Sequence, residues 1–148
     1  MSNHRVVITG IGAITPIGHG REGLWNGLRR NVSAVQHIDR FDPDGFRSQN
    51  AAQVNDFDPL TYMNERRAHR LDRFAQFGMA ACRLAVADAC LELGRDEAEV
   101  AGIYLGSALG GIIYAEEQHS NYMREGLHAV SPTLAVAVFG GASPSNVA

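Results

Sequence analysis

A chain of 148 residues has room for one domain, and 45% hydrophobic residues are enough to build a core. Thirteen basic against sixteen acidic residues leave a formal net charge of −3, which argues against a general nucleic-acid binder. The opening lacks the basic-then-apolar pattern of a secretory signal, and no uncharged apolar run reaches about 18 residues, so a soluble, cytoplasmic protein without a membrane partner is expected.

In chain order, Val6, Val7 and Ile8 read as a strand buried on both faces. Gly10, Gly12, Pro16 and Gly18 then impose a tight connection through special backbone angles. The pair Gly10 and Gly12 begins a dinucleotide-binding G-x-G-x-x-G. Thr15 stands in the third glycine position, however, Pro16 sits where the helix should open, and no acidic residue ends a second strand about 20 residues on. These departures weigh against a nucleotide-binding oxidoreductase. A short amphipathic helix follows over 21–30, with Trp25 as its core anchor beside Leu24 and Leu28, and Asn31 as its stop. Residues 32–50 read as an ordered irregular loop with a turn between Phe41 and Phe46. Residues 51–54 offer one short edge strand, and Pro59 opens a helical turn.

Residues 64–73 are the densest basic segment. Arg66, Arg67, Arg70 and Arg73 recur at helical spacing, which gives either a solvated face or a dock for an acidic partner. Asp72 is placed to cap a helix over 73–93 that ends at Gly94 and is apolar or small on nearly every side, as a buried middle layer requires. Cys82 and Cys90, eight apart on that helix, would lie roughly 12 Å from each other, too far for a disulfide. With no glycine turn, neighbouring histidine or helix N-terminus to lower a thiol pKa, both read as reduced core cysteines rather than nucleophiles.

After a charged connector over 95–100, residues 101–107 read as a second buried strand parallel to the first. Residues 108–111 form a turn at its carboxyl end. A phosphate loop would continue with Lys, and Ile112 and Ile113 stand there instead. The helix expected over 112–125 buries Ile112, Ile113, Ala115, Tyr122 and Met123 and ends at Gly126. Its Glu116, Glu117 and His119 match no ligand spacing and read as a solvated face, so no metal is implied. Ser131 and Pro132 start an apolar helix, and Ser143 and Pro144 repeat that signal only about one turn before Ala148. A helix so short has almost no stability alone, so the expectation is the first part of a larger folding unit.

The segment V-V-I-T-G-I-G-A-I-T-P-I-G, together with G-S-A-L-G-G-I and the two S-P segments, closely resembles the β-ketoacyl-(acyl carrier protein) synthases. The resemblance runs from Val6 through Val147 and points to the elongating, type II condensing enzymes. It implies an α/β fold, namely the N-terminal part of a thiolase-like fold with layered helix, mostly parallel sheet and helix, incomplete in this chain. Residues 1–148 would be one truncated domain that stops before the nucleophile. The complete enzyme would condense an acyl thioester with malonyl-acyl carrier protein in fatty-acid elongation, as a homodimer. On the same basis Leu109 and Leu134 match acyl-pocket residues near the dimer contact, with core packing as the other reading of the apolar run that holds Leu134, and Arg66, Arg67 and Arg70 match the surface that receives acyl carrier protein. Arg73 fits that surface less well, because L-D-R-F looks like the family's own helix entry. The family's cysteine, two histidines and lysine lie beyond this chain, so no catalytic residue is assigned and the chain alone is expected to be inactive. No cofactor is implied beyond the phosphopantetheine arm carried by the partner. A non-catalytic polyketide chain-length factor, which shares the fold and lacks the cysteine, is the alternative.

Overall fold

The structure, a computed structural model, describes residues 5–92, 94 and 99–147. Its central element is helix α3 (Arg73–Asp88), which starts where Asp72 Oδ1 accepts the Phe74 N–H at 2.9 Å. Ala75, Met79 and Ala80 are buried along it, and small residues let other backbones approach closely. The helix stops at Ala89, earlier than the expected Gly94, because Cys90 takes a left-handed conformation with φ of 50°. Cys90 is therefore off the helix and exposed, not a core cysteine, whereas Cys82 is half-buried within it. The expected connector over 95–100 falls largely outside the described residues.

Gly12 shows what the first glycines do. A Cβ on Gly12 would collide with the Ala81 carbonyl oxygen, and one on Gly10 with that of Ala85. Neither residue has a positive φ, so both are required for close approach to α3 rather than for a special backbone angle. The Ile11 N–H donates to Asp88 Oδ2 at 3.0 Å, while Asp88 Oδ1 pairs with Arg21 at 3.1 Å. With its glycines pressed on a helix, this segment is not a phosphate cradle, and the dinucleotide reading falls.

Residues 5–13 and 101–107 form no helix and carry no ladder among the described residues. The two buried strands expected there are unpaired. Val6 is 94% and Tyr104 99% exposed, because no neighbouring strand or outer layer covers them. Both segments nonetheless lean on α3, the first at Ala81 and Ala85 and the second through Leu105 at Gly78. The helix layer and one side of a sheet position are thus in place.

The ladders that do form are short and antiparallel. β1 (Ile14–Thr15) and β2 (Gly18–His19) make a hairpin around Pro16 and Ile17, and Thr15 Oγ1 donates to the Gly18 carbonyl at 2.7 Å. Helix α1 (Gly20–Arg30) follows and ends at Asn31, as expected. It packs through Gly23 and Gly27 on the hairpin, so Trp25, on another side, is 61% exposed and is not a core anchor. β3 (Val35–His37) pairs with β4 (Asn50–Ala52), which places a strand inside the expected irregular loop. Phe41 and Phe46 meet edge to face at 5.8 Å.

Asp58 caps a 3-10 turn at Pro59–Thr61, accepting the Leu60 N–H at 2.9 Å. Phe57 is buried there, stacked on Tyr62 and edge-on to Phe77. Helix α2 (Glu65–Ala68) follows, capped by Asn64. Met63, Ala68 and Met79 form a buried cluster joined by Tyr62, Leu71 and Val147. Val147 belongs to α6 (Ala142–Val147), which lies along α3 with Ser143 against Gly78. Packing, not length, sustains this one-turn helix.

Helix α4 (Ile112–Glu125) has the expected bounds and ends at Gly126. Its buried residue is Gln118, whose Oε1 accepts the Ser131 N–H at 2.6 Å. Ile112, Ile113, Tyr122 and Met123 stay exposed, because its neighbours α5 (Leu134–Val138) and the 3-10 turn at Leu127–Ala129 cover the other side. Helix α5 begins two residues later than Pro132 suggests, with Thr133 at its N-cap.

Candidate functional site: a glycine turn and a basic recess

The turn at 107–111 is built by short polar and backbone contacts. Ser107 Oγ accepts the Gly110 N–H at 3.0 Å, and Gly110 adopts φ of +55°. The Gly111 N–H then donates to the Val138 carbonyl at 3.2 Å, tying the turn to α5. A Cβ at Gly111 would lie 2.8 Å from the Ala137 carbonyl oxygen, so this contact requires glycine. On the other side, Asp72 Oδ2 accepts the Tyr114 N–H at 3.0 Å. Leu109 sits within this turn, 71% exposed, and Leu134 is the half-buried first residue of α5. Their two elements are brought together through the Gly111 to Val138 bond.

Arg66, Arg67 and Arg70 converge by a different route from the expected helical stripe. Helix α2 ends at Ala68, and a bend separates it from α3, so the arginines do not share one helix. Together with Asn64 and Asn146 they line an open recess of about 430 Å³. Arg67 is partly committed, since its guanidinium donates to the Asn146 carbonyl at 2.8 Å and so fastens α6 to α2. Arg66 and Arg70 are exposed and have no carboxylate partner among the described residues.

Arg73 turns away from that recess. It donates to the Val54 carbonyl at 2.6 Å and lies over the Phe77 and Phe57 rings, 4.8 and 5.5 Å from their centroids. Burial, with Arg40 nearby, pushes its guanidinium below the ordinary value. Its role is to hold the β4 end to α3.

Burial pushes the Cys82 thiol above its ordinary value, the opposite of what a nucleophile needs. Glu116, Glu117 and His119 are exposed on α4. No group of three or more His, Cys, Asp or Glu side chains could hold a metal ion among the described residues. No helix among them is long and apolar enough to cross a membrane.

Residues 3–147 match the beta-ketoacyl synthase N-terminal domain. The chain belongs to the beta-ketoacyl synthase family. The 3-oxoacyl-[acyl-carrier-protein] synthase 2 of Vibrio harveyi is 37% identical over 132 residues, which are 89% of this chain and 32% of that protein. That of Coxiella burnetii is 36% identical over the same shares. The chain therefore spans about a third of the length of these curated relatives. Among solved structures, the ishigamide ketosynthase/chain length factor superposes with a TM-score of 0.82 at 30% identity, covering 99% of this chain and 36% of that one. A type II PKS acyl-carrier protein in complex with its ketosynthase gives 0.77 at 26% identity, covering 98% and 38%. The fold is thus the N-terminal part of the thiolase-like ketosynthase fold, with mixed helix and sheet.

Within this synthase domain, sequence reasoning missed three side chains. The second contact of Asp72 had one available signal, since Gly111 precedes α4 and offers no side chain to cap it. Burial of Gln118 and stacking of Arg73 depend on partners remote in sequence, and nothing local announces them.

Proposed function

We propose that this chain is the N-terminal portion of a 3-oxoacyl-(acyl carrier protein) synthase that elongates fatty acyl chains as a homodimer in the cytoplasm. The observation that carries the reading is the 37% identity to a 3-oxoacyl-[acyl-carrier-protein] synthase 2 across 89% of the chain. In the complete enzyme a cysteine thiolate takes the acyl group from the carrier thioester and releases the carrier thiol. Loss of carbon dioxide from malonyl-carrier protein then yields a carbanion equivalent that attacks the acyl-cysteine, giving β-ketoacyl-carrier protein and freeing the cysteine. Cys82 is half-buried with a raised pKa, and Cys90 follows the C-terminal end of α3 rather than a helix N-terminus, so neither suits that step.

The chain's own share is binding. The recess formed by Arg66, Arg67 and Arg70 suits an acidic carrier protein, and the carrier complex of a related ketosynthase supports that class of partner. Leu109 and Leu134 are the acyl-pocket residues of this reading, and the reaction needs no cofactor other than the carrier's phosphopantetheine. The test supplies acyl- and malonyl-carrier protein to the native gene product and to the 148-residue chain. The native product should release β-ketoacyl-carrier protein and the isolated chain none. Product from the isolated chain would overturn the assignment of catalysis elsewhere.

A chain-length-factor-like subunit is the second reading, favoured by the ishigamide ketosynthase/chain length factor among the solved relatives. Such a subunit would bind its ketosynthase partner and condense nothing alone.

A further inference from the structure

Asp72 is 7% exposed and sits between the first turns of two helices of 16 and 14 residues. One oxygen accepts the Phe74 N–H at 2.9 Å, an ordinary cap of its own helix. The other accepts the Tyr114 N–H at 3.0 Å, across 42 positions of sequence. Tyr114 is the third residue of α4, whose N-cap position is Gly111, and no side chain from that position satisfies the helix end. Two positive helix ends therefore share one carboxylate. Immediately before α4, the Gly111 backbone is wedged between Asp72 and α5, since a Cβ there would lie 3.3 Å from Asp72 Cβ and 2.8 Å from the Ala137 carbonyl oxygen.

The geometry points to Asp72 as a positioning residue that sets the turn 107–111, and Leu109 within it, against the central helix. The turn is held at both sides, by Asp72 through Tyr114 and by α5 through the Val138 carbonyl. Only a short side chain with two acceptor oxygens can do this. Asparagine offers one oxygen, and its amide would face a second N–H donor; serine keeps the cap on α3 and cannot reach Tyr114. The functional consequence rests on the acyl-pocket reading of Leu109: the held turn fixes the depth available to the acyl chain, and so the preferred chain length.

The experiment compares Asp72→Asn and Asp72→Ser with the wild-type native gene product. Amide exchange is followed at residues 107–114 and near Met79, and kcat/KM is measured for short and long acyl-carrier substrates. Exchange at Tyr114 and in the turn should quicken about tenfold while the centre of α3 is unchanged. The ratio of long- to short-chain kcat/KM should shift several-fold while kcat for the shortest substrate stays within about twofold. Unchanged exchange in both variants would overturn the proposal, and so would faster exchange with an unchanged chain-length ratio. A wild-type protein that condenses nothing would remove the condensing reading instead, and the exchange at Tyr114 would then decide by itself whether Asp72 holds the turn.

Discussion

Gly12 has no space for a methyl group against the Ala81 carbonyl, although its φ is available to any residue. Gly12→Ala should therefore lower stability by about 1–3 kcal/mol, read from the midpoint of urea unfolding. An unchanged midpoint would mean that residues 5–13 do not rest on α3. The sequence displays that glycine as a turn residue, because its partner lies some 70 positions away and a single residue carries no trace of it. The cysteines are a second case. Cys82 keeps its proton to higher pH in the folded protein than its ordinary value of 9.0, through burial. The folded state then binds more protons than the unfolded chain in the window above that value. Its contribution to stability is complete below the ordinary value and fades as pH rises through the folded one. Alkaline unfolding should show that decline and Cys82→Ala should flatten it, while exposed Cys90 should react with a thiol reagent before Cys82 does at neutral pH. Equal modification rates would contradict the burial of Cys82. Spacing alone reveals two free thiols, but not which one the helix abandons at Cys90.

At the scale of elements, bounds were more legible than faces. Helix α4 begins after Gly111 and stops at Gly126 because glycines punctuate it, and both are visible in the sequence. Which side it buries depends on the chain that follows it: Gln118 is buried and accepts the Ser131 N–H, while Ile113 and Tyr122 stay exposed. Helix α2 gives the clearest functional contrast. Arg67 spends its guanidinium on the Asn146 carbonyl, whereas Arg66 and Arg70 face the open recess. Reversing Arg66 and Arg70 to Glu should weaken acyl carrier protein binding by about tenfold at low salt, with the deficit shrinking as salt rises. Titration of labelled carrier protein at two ionic strengths measures this. Equal affinity for the wild-type and reversed proteins would leave these arginines as a solvated face. Arg67→Ala should instead loosen α6, lowering the unfolding midpoint by an amount typical of one hydrogen bond, about 1 kcal/mol.

The whole molecule is a helix layer with a sheet position left open. Val6, Ile8 and Tyr104 have the composition of buried strands, and that is how they read in the sequence. They are exposed because a ladder needs neighbours, and residues 5–13 and 101–107 have none among the described residues. The family and the layered fold were nonetheless legible from the T-G-x-G and G-S-x-x-G-G segments, in which Gly10, Gly12, Gly110 and Gly111 each stand where a Cβ would collide with a neighbouring backbone oxygen. The proposed acyl-pocket positions were less so, because the placement of Leu109 and Leu134 depends on Gly111 bonding to Val138 and on Asp72 reaching Tyr114.

The most direct measurement is the intact mass, with peptide mapping, of the native gene product after incubation with acyl-carrier protein and no malonyl partner. Thioester exchange in a condensing enzyme adds one acyl group to one cysteine and releases the carrier thiol. The account expects that adduct on a cysteine other than Cys82 and Cys90. An adduct on either of these two, or no adduct under conditions that acylate a known synthase, would contradict it.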